Sequence, residues 1–414
     1  MAMAKVHTNP ILRKSTVSPQ AINRRGVILG KAAPPAPACR TGAYLSAKSY
    51  GRASRVAIMQ RTSARDIETV TSRSAVTTAA QGDAKTVLVV GPTGYIGRFV
   101  TKELVARGYN VVAMARDKSG VGGKKTPADV EADFPGVKVV FGDIKNKESI
   151  KAAAFSQGKV DVVVSCVASR TGGIKDSWDI DYEASKNVLD VALEAGADQF
   201  VLLSAICVQK PLLTFQAAKL KFEEALMASG MTYSIVRPTA FFKSLGGQVA
   251  SVQGGGPYVM FGDGQLAACK PISERDLASY MAECIEDPDL QNKVLPIGGP
   301  GEALTALQQG EMLFKILDKD PNFIKVPIEI MTGAIKVFDT LAGFFPSLKD
   351  AAEFAKIGKY YAAESMLVMN ENGEYDASMT PSYGNDTLED FFKKCVNEGM
   401  EGQELGDAAV FGQK

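Results

Sequence analysis

The chain has 414 residues, 46% of them hydrophobic, with 47 Lys and Arg against 46 Asp and Glu, the composition of a globular protein and not of a disordered or fibrous one. The near-neutral total hides two opposed parts: residues 1–80 hold 13 Lys and Arg against only Asp66 and Glu68, leaving 34 basic and 44 acidic residues beyond them. An acidic body repels a phosphate backbone, so nucleic acid is excluded as a partner.

Residues 1–80 are rich in Ser, Thr, Ala and Arg and are interrupted by Pro34, Pro35 and Pro37. They lack the apolar run of a secretory signal and read as an organelle transit peptide, chloroplast preferred to mitochondrion, with cleavage between Arg55 and Asp83. The single histidine, His7, falls inside this leader. A mature chain without histidine has no Ser-His-Asp, Cys-His or His-metal chemistry. The six cysteines (Cys39, Cys166, Cys207, Cys269, Cys284, Cys395) form no CxxC, so neither a zinc site nor a disulfide framework is expected, and no metal. No stretch reaches the roughly 18 consecutive apolar residues of a bilayer-spanning helix, which makes the body soluble or peripheral.

From Thr86 onward short β-branched runs alternate with longer amphipathic ones, the rhythm of βαβ units in a Rossmann-type, doubly wound parallel sheet of the α/β class. Strands are expected at Thr86–Val90, Asn110–Ala115, Val137–Phe141, Val160–Cys166, Gln199–Ser204 and Thr232–Val236. Helices are expected near Tyr95–Arg107, Lys147–Phe155, Ser177–Ala195 and Phe215–Ser229. The strands are apolar throughout, because helices on both sides bury both faces of the sheet. After Arg237-Pro238 the rhythm breaks into a Gly-rich loop, Gly246–Gly256, then β-like pieces at Tyr258–Phe261 and Leu266–Ile272. A helix Ser273–Ile285, a strand Lys293–Pro296 and helices near Ala303–Leu317, Ile328–Leu341, Leu348–Glu364 and Leu388–Glu398 follow. This divides the body into a nucleotide-binding domain, 84–240, and a smaller, mostly helical substrate-side lobe, 241–414, whose late strands return to the sheet. Ile328–Phe345 is so poor in charge that it reads as a buried helix in preference to a membrane-surface contact.

The strongest motif follows the first strand: Gly91-Pro-Thr93-Gly94-Tyr95-Ile96-Gly97, opening a helix. Gly91 permits the tight turn, Gly94 lets backbone approach a pyrophosphate, and Gly97 lets helix pack closely on strand, while the helix N-terminus offers N–H groups to phosphate. The second strand ends in Arg116, where an NAD site places an acid; a guanidinium there favours the 2′-phosphate of NADPH. Asp143 and Ile144 after the third strand, and Val167 after the fourth, fall where the adenosine pocket forms. Asp143 reads equally as a helix N-cap for the segment starting near Asn146.

Many nucleotide-dependent reductases with a Rossmann-type sheet carry Tyr-x-x-x-Lys, the tyrosine as proton donor. This chain has Phe215-Gln-Ala-Ala-Lys219. Lys219 can hold the nicotinamide ribose, but Phe215 has no proton to give, so ordinary carbonyl reduction is not expected. An electron-poor C=C bond meets the condition, because charge left by hydride addition is delocalised until a weak acid or water protonates it. Pro238 follows the sixth strand at the nicotinamide carboxamide position, and Phe241, Phe242 and Tyr258 come after it as candidates to face a flat ligand, with core packing an equal alternative.

The glycine motif, the Phe215-x-x-x-Lys219 replacement and the run Ser204–Glu223 (SAICVQKPLLTFQAAKLKFE) together resemble the divinyl chlorophyllide a 8-vinyl-reductases of plants and green algae, atypical NmrA-like members of the short-chain dehydrogenase/reductase superfamily. The resemblance covers roughly 84–414. It implies NADPH as cofactor, a tetrapyrrole substrate, reduction of a vinyl group to ethyl in chlorophyll biosynthesis, and a chloroplast location, stromal or peripheral to a thylakoid or envelope membrane. It does not fix the proton donor, for which Lys219, Tyr258 and water are candidates. A non-catalytic NADPH-binding assembly or sensor protein and a phenylpropanoid-type double-bond reductase are the alternatives.

Overall fold

The apolar runs form strands β1 (Thr86–Val90), β2 (Asn110–Ala115), β3 (Lys138–Phe141), β4 (Val162–Ser165), β5 (Gln199–Leu203) and β6 (Thr232–Pro238) in a computed structural model that describes residues 84–399 apart from Val121, Gly122, Gln157, Pro346 and Ser347. The basic leader, with His7, Cys39 and the expected cleavage region, lies outside the described residues. Beyond β6 come β7 (Tyr258–Phe261), β8 (Ala268–Cys269), β9 (Lys293–Ile297), β10 (Leu304–Thr305) and β11 (Phe323–Val326). Seven strands make one parallel sheet in the order β3-β2-β1-β4-β5-β6-β9. Strand order reverses between β1 and β4, the switch point at which open α/β sheets form their ligand crevice.

Side chains alternate along each strand, so one sheet builds two cores. Val87 and Val89 pack with Ile96, Val100 and Leu104 of the helix Tyr95–Ala106 and with Leu277 and Met281 of the helix Glu274–Glu286. Leu88 and Val90 face Val188 and Leu189 of the helix Ser185–Glu194 and Leu226 of the helix Thr214–Met227. A third core, including Tyr258, Met260, Leu313 and Phe392, joins β7 to the helices Ala306–Ile316 and Leu388–Glu398.

Several boundaries differ from expectation. The Gly-rich stretch 246–256 contains a short helix, Val249–Gln253, because Val249 and Val252 bury into the third core. Of Leu266–Ile272 only Ala268–Cys269 is strand, pairing with β10. β11, which the sequence reading missed, is parallel to β7, and its two middle residues, Ile324 and Lys325, are exposed. The segment read as the helix Ser177–Ala195 runs instead as a π-helical stretch, Ser177–Ala184, and then the α-helix Ser185–Glu194.

The helix Ile328–Phe344 corrects the expectation of a buried helix. Only Ala342 is buried, and Phe344 is 77% exposed, with Ile330 and Val337 also turned outward. Its partner is the helix Lys349–Ala363, which lies between it and the rest of the fold at Cys207 and Leu213. Apolar content alone did not reveal that this helix packs mainly on one neighbour and turns most of its surface outward. Among the described residues no helix is long and apolar enough to cross a membrane.

Candidate nucleotide and substrate site

At the switch point the carboxyl ends of β1 and β4 approach closely. Gly91 has φ +82°, the left-handed conformation glycine alone adopts without strain. A Cβ there would stand 3.0 Å from the Cys166 carbonyl oxygen. At Gly97 a Cβ would meet the Gly91 carbonyl oxygen at 2.1 Å, so this glycine seats the helix against the turn. Gly94 is exposed, with Thr93 and Tyr95 half-buried beside it and Ile96 in the first core. No side chain caps the helix Tyr95–Ala106, and its first turn holds no acid. A cradle of backbone with an uncapped helix N-terminus fits a pyrophosphate.

On one side of this cradle lies Arg116, exposed at the end of β2. Its guanidinium is held below its ordinary pKa, first by partial desolvation and then by the charge of Arg170, with Asp143 and Asp176 opposing. Arg170 comes from the loop after β4 and donates from Nη2 to the Gly120 carbonyl (2.9 Å), crossing to the loop that follows β2. Sequence reasoning missed this second arginine, since nothing in its local pattern links it to β2. Two guanidiniums gathered beside one strand end favour an anion. Asp143 is exposed and accepts from the Lys145 N–H (2.9 Å), whereas Asn146 caps the helix Lys147–Ile150. The N-cap reading of Asp143 is thus corrected, and its carboxylate closes a local turn. Ile144 and Val167 pack against the second core on either side of the crevice.

Lys219, on the helix Thr214–Met227, is 12% exposed and lies 3.0 Å from Oδ1 of the fully buried Asp181. The same Oδ1 accepts from the Ser169 N–H (3.2 Å) after β4. Asp181 Oδ2 and Ser165 Oγ are buried without a protein partner. Cys166 lies close enough to feel the lysine charge; burial nevertheless pushes its thiol up to about 12, so it stays neutral. Phe215 packs into a small core with Cys207, Leu213, Ile357 and Tyr360, which explains why an apolar ring stands there. Ser204 donates to the buried Glu223, which also pairs with Arg237, so its hydroxyl is committed to the framework.

Pro238 is buried at the end of β6, and Phe241 beyond it stacks obliquely on Tyr95, ring centroids 6.3 Å apart. The Tyr95 hydroxyl donates to Glu274 Oε2 (2.8 Å), and burial together with that carboxylate raises the phenol strongly. Phe242 and Tyr258 are not brought here: both are buried in the third core, Phe242 against Phe391 and Tyr258 against Phe323. The structure thus gathers Gly91, Gly94, Arg116, Asp143, Val167 and Lys219 along one crevice and leaves two of the three aromatic candidates outside it.

Comparison with known proteins agrees with this geometry. An NAD(P)H-binding family matches residues 91–288. Among solved structures, the NADPH-dependent quinone oxidoreductase QOR2 from Escherichia coli, complexed with NADPH, superposes with a TM-score of 0.54 at 18% identity, covering 75% of this chain and all of its own, which shows a shared fold. The chloroplastic divinyl chlorophyllide a 8-vinyl-reductase of Cucumis sativus is 62% identical over 332 residues, 78% of this chain and 79% of its own. That of Arabidopsis thaliana is 61% identical over 329 residues, again 78% and 79%. With about three residues in five identical over some four-fifths of its length, the chain belongs to the divinyl chlorophyllide a 8-vinyl-reductase family.

Proposed function

We propose that this chain uses NADPH to reduce the 8-vinyl group of divinyl chlorophyllide a, or of divinyl protochlorophyllide a, to ethyl within the chloroplast. The observation that carries the reading is the pairing of a nearly buried, ion-paired Lys219 with a partly buried Phe215 packed against a small core: the site retains the ribose-holding lysine and has dispensed with the phenol. A vinyl group conjugated to a tetrapyrrole accepts hydride without an acid placed on the reacting carbon, and so tolerates that loss. The relatives' names supply the substrate and the organelle.

In this reading residues 84–240 hold the nucleotide and 241–414 shape the substrate side. NADPH, when bound, supplies the hydride. Gly91, Thr93, Gly94 and Gly97 admit its pyrophosphate to the N-terminus of the helix Tyr95–Ala106, with Tyr95 and Ile96 fixing the turn. Arg116 takes the 2′-phosphate, Asp143, Ile144 and Val167 line the adenosine, and Lys219 and Pro238 hold the nicotinamide end. Phe241 offers an apolar edge to the pigment. The proton comes from Lys219 or from water; Tyr258 is too deeply buried to serve. The exposed apolar helix Ile328–Phe344 supports a peripheral contact with a thylakoid or envelope surface, where such a pigment partitions.

Protein lacking residues 1–83 is incubated with NADPH and divinyl chlorophyllide a, and the pigments are separated and weighed. A product heavier by two hydrogens, absent with NADH and without enzyme, is the expected result. Measured NADPH binding with no product would overturn the assignment and favour an assembly or sensor role, or another double-bond substrate.

A further inference from the structure

We propose that Asp181 is the residue that positions Lys219, the two acting as one unit. The proposal deepens the reading above, since it rests on Lys219 serving the nicotinamide end of the site. Asp181 sits in the π-helical stretch Ser177–Ala184, which packs against the helix Thr214–Met227 that carries Lys219. Such a stretch rotates the side chains that follow it out of α-helical register and recurs at functional sites. Here it delivers a fully buried carboxylate to a lysine that is itself nearly buried.

Two observations argue that the contact is more than structural packing. Asp181 Oδ1 also accepts from the Ser169 N–H, so one carboxylate oxygen ties the lysine helix to the loop leaving β4, the loop that borders the crevice. Its second oxygen, Oδ2, is buried with no protein donor, an arrangement that costs stability. The Cys166 and Cys207 thiols also feel the Lys219 charge, but burial pushes both up, so neither supplies a counter-charge near neutral pH. The Asp181 carboxylate is the acidic group in contact with the lysine. Without it the lysine has four rotatable bonds and no fixed direction.

The test is a double-mutant cycle on Asp181→Asn and Lys219→Met in protein lacking residues 1–83, read both as kcat and KM for vinyl reduction and as NADPH affinity by fluorescence titration. If Asp181 acts through Lys219, Asp181→Asn lowers kcat by about 10- to 100-fold, the scale of a misplacement near 1 Å, with KM for the pigment little changed. It also moves the alkaline limb of the pH–rate profile to lower pH, because a buried ammonium has lost its counter-charge. In the Lys219→Met background the same substitution causes no further loss. Multiplicative losses in the two backgrounds, or an Asp181→Asn protein with normal kcat and pH profile, would overturn the proposal. Should Asp181→Asn not fold alone, Asp181→Glu takes its place: it keeps the charge and displaces the carboxylate, so kcat falls with an unaltered pH profile, and an unchanged kcat counts against positioning. The NADPH arm separates the two claims. A non-additive cycle in NADPH binding without vinyl reduction removes the reductase reading alone, and additive losses in an active reductase remove the positioning claim alone.

Discussion

Gly97→Ala tests the nucleotide cradle most directly. The added Cβ would lie 2.1 Å from the Gly91 carbonyl oxygen, 3.0 Å from its carbon and 3.2 Å from Pro92 Cα. All three atoms are backbone, so no side chain can swing aside. Restoring an ordinary carbon–oxygen contact of about 3.3 Å requires the helix Tyr95–Ala106 to retreat from the turn by roughly 1 Å. Overpacking of this kind costs about 1–3 kcal/mol, at roughly 1–2 °C of Tm per kcal/mol for a body of this size. The same retreat displaces the helix N-terminus from the phosphates, and we expect NADPH to bind at least tenfold more weakly, within the roughly 100-fold ceiling of a 1 Å misplacement. Gly333→Ala is the matched control. It makes the same chemical change in the exposed helix Ile328–Phe344, where nothing lies within 4 Å of the new carbon, and removing a helix-interior glycine stabilises by about 0.5–1 kcal/mol. The Tm from thermal melting and the NADPH affinity from a fluorescence titration should therefore both fall for Gly97→Ala, while the control melts slightly higher and binds NADPH as the parent does. A Gly97→Ala protein with the parent's Tm and NADPH affinity would refute the cradle.

Arg116→Ala should weaken NADPH by roughly 10- to 100-fold, the loss of a charged hydrogen bond, and NADH far less; equal losses for both nucleotides would show that Arg116 does not read the 2′-phosphate. Glu223→Gln strips the buried partner from Arg237 and should cost about 3–5 kcal/mol in urea unfolding; a midpoint unchanged from the parent would show the pair to be energetically idle. Asp161 is held below the ordinary carboxylate range by Lys159 and by the Thr86 N–H. A depressed folded pKa gives stability that is present above the unfolded pKa of about 4 and lost as pH falls through the folded value. Asp161→Asn should accordingly be less stable at pH 7 and converge with the parent below about pH 4, measured as the urea midpoint against pH.

The sheet was legible because its strands are unbroken apolar runs and the glycine motif sits between one of them and a helix, so each local choice agrees with the fold. The cradle glycines and Lys219 could be named for the same reason: their spacing along the chain is their chemistry. Asp181 and Arg170 could not. Each acts across the fold, on the lysine helix and on the loop after β2, and no sequence period links them to their partners. The aromatic residues after β6 divided for a simpler reason. Phe241 lies against Tyr95 while Phe242, one residue on, turns into the third core, and hydrophobicity alone cannot distinguish the two. The helix Ile328–Phe344 failed in the reverse sense: an apolar composition was taken for burial where the fold leaves all but Ala342 unburied.

β9 limits how this architecture can be taken apart. It pairs with β6 from Ser234 opposite Lys293 to Pro238 opposite Ile297, so the chain leaves the sheet after residue 240 and comes back to complete it. A fragment ending at 240 would expose β6 as a bare edge. It would also lose the helix Glu274–Glu286, which supplies Leu277, Met281 and Ile285 to the core over Val87 and Val89. An open edge beside an uncovered apolar face is a recipe for aggregation. The nucleotide half is therefore not a portable module. Chimeras that exchange substrate lobes between relatives must keep 273–297 with the recipient and graft around it.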